Sequence, residues 1–441
     1  MTVPVRLAAL ALAIAVFGGF GWWVVHDFVP LRTGANGALA ASTPHTRTGS
    51  AGSPWPMFGA SPRRTRFVAS KLRPPFRPLY TIPGRGLIEM PPVVSRGLVV
   101  FGTHHGLVIA SRVDDGTIAW TADIDGCIAS SPAVRAGIVY VGWAGPAPCA
   151  RGKGERGGVV ALGLESGRLL WRFGTGNVES SPAVVADRLF FSAFRSRQES
   201  RVYSMKLGPG RHIAWSYPLA TKVASSPALL GRKLYISAYD RYLYSFDGWS
   251  GRLRWKTTSF SDEPEVRVLL GFRSLVRRKS WREGGYYATP SIAHDRAYLG
   301  VIDGVFSAFD VHSGAHRWSR KLAGSIYGSA AVWNETVYVG TTDGTFYALS
   351  AHDGHVRWKQ RLGGKVLGSP TVTGGRVYVS TTNRETFVLH ARTGLLDWRY
   401  ADGYYSPLVV AGSRAFLVGK GRIYALENAP EVRPPLVPNA S

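Results

Sequence analysis

Short runs of β-branched and aromatic residues, such as VYVG, LYIS and YLYSF, recur along most of the chain between DG, SG and TG pairs. Runs of this kind bounded by turn residues predict short strands joined by tight hairpins. The pattern is periodic. Glycine followed by tryptophan returns as GTIAW (Trp120), GRLLW (Trp171), GRLRW (Trp255), GAHRW (Trp318), GHVRW (Trp358) and GLLDW (Trp398). GRHIAW (Trp215) matches with one extra residue. The spacings of 51, 44, 40, 63, 40 and 40 define a period of 40 that carries insertions.

A second landmark runs in phase: MPPVV at Pro92, SPAV at Pro132 and Pro182, SPAL at Pro227, TPSI at Pro290, SAAV at Ala330, SPTV at Pro370 and SPLV at Pro407. Four strands in a repeat near 40 residues make a propeller blade. Eight starts predict an all-β fold of eight blades, with a seven-bladed ring as the rival. The last repeat stops at Ile423–Glu427, one strand short, while FRPLYTIPG upstream supplies a strand without a blade, and Tyr80 lies 40 residues before Trp120. Residues 76–82 are therefore expected to complete the eighth blade and leave no open edge. Gly116, Gly167, Gly251, Gly314, Gly354 and Gly394 fall where a tight turn needs positive φ. The seven tryptophans are read as structural, lying flat between adjacent blades rather than catalysing anything.

ALGLESGRLLW, SFDGWSGRLRW, AFDVHSGAHRW and ALSAHDGHVRW resemble the tryptophan-docking repeat of the PQQ-binding-like (pyrroloquinoline quinone-like) β-propeller family. The opening WPMFGASPRRTRF is similar to that family's lead-in, and the resemblance spans residues 55–427. It implies fold more than function, because the family includes quinoprotein dehydrogenases, the BamB lipoprotein and exported binding or sensing domains. The dehydrogenase branch implies a Ca²⁺-held quinone in the axial channel and often a vicinal disulfide, but no two cysteines are adjacent here. The BamB branch implies a lipid-modified cysteine just after a signal, and none occurs before Cys127.

Leu7 to Val25 is a 19-residue run without charge, preceded by Arg6 and carrying Trp22 and Trp23 near its far end. At ~1.5 Å per residue it matches the ~30 Å of a bilayer core. Residues 1–27 are expected to be a cytoplasmic stub and signal-anchor, residues 28–54 a flexible linker, and residues 428–441 a Pro-rich tail. A cleaved signal peptide is the alternative, with Ala38-Leu39-Ala40 as a distant cleavage pattern. Either reading exports the rest of the chain.

The 441 residues hold 53 Lys+Arg against 28 Asp+Glu, a net charge of +25 that calls for an anionic partner. Export, with no nucleic-acid module in the sequence, turns the expectation from nucleic acid to the envelope. Residues 28–88 contain nine basic residues and no acid, and Val266 to Arg282 contains six more. Within the latter, Val266, Leu269, Leu270 and Val276 are expected to form one apolar helical face for a membrane or a partner, or else a solvated cover.

The position three before each Pro landmark is expected to ring the axis: Glu89, Ala129, Glu179, Ala224, Tyr287, Tyr327, Leu367 and Tyr404. Glu89, Glu179, Tyr287, Tyr327 and Tyr404 are the ligand-binding candidates, suited to a cation, a sugar or a planar cofactor; the plain alternative is a polar plug. Cys127 and Cys149, 22 residues apart, are a disulfide candidate in an exported domain. No zinc spacing occurs, His104-His105 is read as surface or structural, and no resident metal or cofactor is expected. The function expected is a membrane-anchored, single-pass, extracytoplasmic scaffold without catalysis, binding an envelope protein or anionic polymer. A PQQ- and Ca²⁺-dependent dehydrogenase using Glu89 or Glu179 is one alternative, and a sensor of envelope polysaccharide is another.

Overall fold

A computed structural model of the chain describes residues 55–149, 156–258, 285–405 and 408–429, with the backbone of strands Arg267–Leu270 and Arg273–Val276. The expected anchor and linker, and the expected tail beyond residue 429, lie outside the described residues. No helix among the described residues is long and apolar enough to cross a membrane. All of them belong to the unit Gly49–Ser441.

The described strands form eight four-stranded antiparallel sheets and one two-stranded sheet. Blade 1 runs from the inner strand Val93–Ser95 through Leu98–Gly102 and Leu107–Arg112 to the outer strand Ile118–Asp123. The inner strands of blades 2 to 8 begin at Ala133, Ala183, Ala228, Ser291, Ala331, Thr371 and Leu408. Blade 8 takes its outer strand from the other end of the chain, where Phe76–Pro83 pairs antiparallel with Arg422–Asn428. The ring therefore closes by joining its two ends, and the first and last inner strands meet.

Burial explains the hydrophobic runs. Second and third strands, such as Thr336–Gly340 and Thr345–Ser350, are buried on both faces because each blade is sandwiched between two others. Outer strands such as Ile118–Asp123 alternate between exposed and buried positions. Eight hydrophobic clusters among the described residues fill the spaces between neighbouring blades, so the core is a ring rather than a centre.

The tryptophans fasten these spaces. Trp120, Trp215, Trp255, Trp318 and Trp358 donate their indole N–H to the carbonyls of Leu164, Gly248, His312, Ala351 and Ala391 in the next blade, at 2.7–3.2 Å. Each ring covers the turn glycine of that blade, and a Cβ on Gly251 or Gly394 would lie 2.7 Å from the ring. Those glycines also have φ near +75°, which side-chain-bearing residues rarely adopt. Tyr80 supplies the missing eighth ring: it lies over Gly116, and its hydroxyl donates to the Val113 carbonyl. Trp171 departs from the pattern, because the extra residue in GRHIAW shifts the turn and Arg211 stacks on it at 4.5 Å. Trp398 faces Phe76 edge-on instead.

Two tiers of hydroxyls hold the inner strands. The backbone N–H groups of Ser131, Ser181, Ser226, Thr289 and Ser329 each donate to the hydroxyl of the equivalent residue one blade on, at 2.9–3.0 Å. The preceding serines Ser130, Ser180 and Ser225 donate instead to Gly142, Ser192 and Ser237 in their own blades. The SSP triplets thus encode one hydroxyl for the neighbour and one for the blade itself.

The lead-in occupies the axis. Carbonyls of Trp55, Pro56, Pro62, Arg63, Thr65 and Arg66 accept the N–H groups of Val94, Val134, Leu229, Ile292, Val332 and Val372, at 2.7–3.0 Å. Those donors lie in the inner strands of blades 1, 2, 4, 5, 6 and 7. A segment this short can reach so many inner strands only by coiling within the ring they enclose. Blade 3 is reached by Arg64, whose Nη2 donates to Ser181 and Pro182 carbonyls at 3.3 Å.

One expectation is corrected. Residues 267–276 form an antiparallel hairpin, with Arg267 opposite Val276 and Leu270 opposite Arg273, rather than an apolar helical face. Only Gly271 and Phe272 separate the strands in sequence, and Gly-X is a two-residue hairpin signature that the helical reading passed over. Among the basic residues of the lead-in, Arg64 and Arg66 are buried, at 0% and 1% exposed. Sequence counts charge without locating it.

Candidate functional site

On one face, the connectors entering the inner strands and the turns between second and third strands converge around the axis. Glu89 stands on the connector into blade 1, and His104 on the turn between Leu98–Gly102 and Leu107–Arg112. His104 Nε2 lies 2.6 Å from Glu89 Oε2. Glu179 and Lys222 stand on the connectors into blades 3 and 4 and form an ion pair of 3.0 Å. The Lys222 ammonium also lies 4.2 Å from the centre of the Phe194 ring and 5.9 Å from that of Tyr239.

An aromatic arc continues from Tyr239. Tyr287 meets Tyr327 at 5.8 Å and Tyr239 at 6.5 Å, both edge-on, and Tyr404 meets Tyr405 at 4.3 Å. Tyr287 is crowded by protein yet keeps 36% of its surface exposed, as a side chain lining an open mouth does. Its phenol is held well above the usual tyrosine range, first by burial and then by the negative charges of Glu89 and Glu179. Tyr239 is raised by burial and by Glu179, and Tyr405 by burial, with Tyr404 and Glu89 adding to it. These phenols stay protonated as hydrogen-bond donors at physiological pH.

Below the mouth the channel narrows to backbone. The Tyr405 carbonyl lies where a Cβ on Gly368 would stand, and the Gly368 carbonyl crowds Gly328 in the same way. Beneath them are the hydroxyl belt and the lead-in, so the mouth is a cup with a floor rather than an open pore.

Glu89, Glu179, Tyr287, Tyr327 and Tyr404 thus face one mouth, on the connectors where the landmark spacing puts them. Lys222, Tyr239 and Tyr405 were missed, and His104 was read only as surface or structural. His104 and Tyr239 sit on turns whose length varies between blades, so no fixed offset points to them. Tyr405 and Lys222 lay one residue past and two residues before the ring position. Cys127 and Cys149 form a disulfide with Cα atoms 4.8 Å apart. It ties the connector after blade 1 to a blade 2 loop, whose Cys149 N–H donates to the His104 carbonyl at 3.2 Å. Among the described residues no three His, Cys, Asp or Glu side chains gather as a metal group.

The closed ring of eight blades is the fold of a PQQ-like propeller. The chain belongs to the family described as outer membrane protein assembly factor BamB, whose sequence profile matches residues 155–281 and 302–433. Outer membrane protein assembly factor BamB of Yersinia pestis is 27% identical over 170 residues, covering 37% of this chain and 32% of that protein. The chain thus matches about a third of the length of this curated relative. The crystal structure of BamB from Moraxella catarrhalis superposes with a TM-score of 0.60 at 16% identity, over 80% of this chain and 99% of that one. A europium-containing methanol dehydrogenase superposes with a TM-score of 0.69 at 11% identity, over 87% and 98%. A quinohemoprotein alcohol dehydrogenase from Comamonas testosteroni gives 0.66 at 12%, over 87% and 82%. At these identities the likeness is one of fold.

Proposed function

We propose that the chain is a non-catalytic binding and scaffold module of the cell envelope, its propeller on the extracytoplasmic side. The observation that carries this reading is the state of the axial carboxylates. Glu89 is engaged by His104 and Glu179 by Lys222, above a floor built by the chain's own lead-in. A calcium ion takes about 6–8 oxygen ligands, and the mouth offers two carboxylates with internal partners and phenols that remain protonated. This donor set does not fit a calcium-held quinone. Membership of a family named for outer membrane protein assembly supports an envelope protein as the partner. The mechanism is that of a rigid ring presenting its loops, tethered by the N-terminal segment.

The test has two arms. Cross-linking in envelope fractions of the native cells should capture a protein partner through the mouth face, and substituting residues there should weaken capture. Purified protein loaded with PQQ and Ca²⁺ or a lanthanide should reduce no dye with alcohols or sugars. Metal- and quinone-dependent oxidation would overturn the reading.

A further inference from the structure

Arg64 and Arg66 lie side by side in the axial lead-in, both wholly buried and both facing the Phe58 ring, at 5.6 and 4.5 Å. Neither pairs with a carboxylate among the described residues. Arg64 is satisfied by carbonyls: Nε donates to Pro227 at 2.8 Å, Nη1 to Phe58, and Nη2 to Ser181 and Pro182. Arg66 is served less well. Its Nε donates to Pro370 at 2.9 Å and its Nη2 to Ser369 at 3.4 Å, while Nη1 is buried with no acceptor among the described residues.

Burying an ion without a counter-charge is among the costliest acts in folding, and carbonyl dipoles offset only part of it. Neutralisation does not relieve it here, because burial lowers both guanidinium pKa values only to about 9, and Arg66 adds to the lowering at Arg64. Two positive charges therefore stand together on the axis with one N–H₂ group unpaired. We infer that the propeller axis holds a small monovalent inorganic anion, of the class of chloride, against Arg66 Nη1. A single free N–H₂ group is too small a donor set for sulfate or phosphate. The enclosure of both side chains leaves no approach for an organic acid, so the ion is taken up as the ring closes. The inference is independent of the proposed scaffold role.

The probe is bromide. The full chain, unfolded in urea and refolded in sodium bromide, is crystallised and measured at the bromine absorption edge. An anomalous peak within hydrogen-bond reach of Arg66 Nη1 is expected; a water without anomalous signal there would overturn the inference. In solution at constant ionic strength, replacing gluconate by chloride or bromide should raise the urea midpoint, with a slope corresponding to one anion bound per folded chain. A midpoint indifferent to halide would likewise overturn it. Arg66→Met should abolish the halide dependence, and if that variant fails to fold, the wild-type anomalous map decides alone.

Discussion

Replacing Ser226 by alanine removes one hydroxyl from the belt that locks neighbouring inner strands together. The Ser226 hydroxyl accepts the Ser181 N–H at 2.9 Å, and Ser181 and Ser226 are 0% and 3% exposed. The alanine variant leaves that N–H in a place water does not reach, and a stranded buried donor costs about 1–3 kcal/mol. With an unfolding entropy of ~2 cal/mol/K per residue, a chain of this length loses about 1–2 °C of Tm per kcal/mol. Ser226→Thr is the matched control, since blade 5 uses Thr289 at the equivalent position and its Oγ1 accepts the Ser226 N–H at 2.9 Å. Urea unfolding followed by tryptophan fluorescence should show a lowered midpoint for Ser226→Ala at unchanged m-value, and recovery of most of it in Ser226→Thr. Equal midpoints for wild type and Ser226→Ala would refute the claim that the belt holds the blades.

Three further outcomes follow from the same geometry. Reducing Cys127–Cys149, or replacing both by serine, should cost about 3 kcal/mol from the freed 22-residue loop, read as a lower Tm in dithiothreitol that the double serine variant no longer shows. Trp318→Ala removes a ring buried against Gly354 and an indole bond to the Ala351 carbonyl, and should cost about 3–5 kcal/mol by equilibrium unfolding. Asp247 and Asp310 are held well below the usual carboxylate range, Asp247 chiefly by the Ser250 N–H and Asp310 chiefly by Arg317. Their depressed folded pKa values mean that the stability they add is present above pH ~4 and is lost as pH falls below it. Asp247→Asn and Asp310→Asn should therefore be less stable than wild type at pH 7 and show a shallower loss between pH 4 and 2.

The blade count, the turn glycines and the closing strand were legible because each rests on spacing, and spacing survives in one dimension. Tyr80 could be paired with the missing tryptophan from its distance to Trp120 alone. The axial candidates were found for the same reason: a residue three before a repeated proline returns to the same place at each turn of the ring. Lys222 was invisible and His104 was read only as surface or structural, since what makes them part of the site is the carboxylate each meets in space and not a motif around them. The hairpin at 267–276 was misread because the four apolar positions Val266, Leu269, Leu270 and Val276 can be set on a helical face until strand pairing decides otherwise.

Sequence alone determined that this chain builds one kind of unit eight times, because a local pattern of strand, turn and buried ring needs only its own neighbours to be recognised. Tertiary structure decided what fills the axis. SPRRTRF counts in the sequence only as part of a basic stretch, yet its backbone hydrogen-bonds to four inner strands and two of its arginines are buried. That placement depends on ring closure, which brings carbonyls from blades far apart in sequence, such as those of Ser181, Pro227 and Pro370, around two cations. The solvation of a charge belongs to its surroundings, and those surroundings exist only once the chain has come full circle.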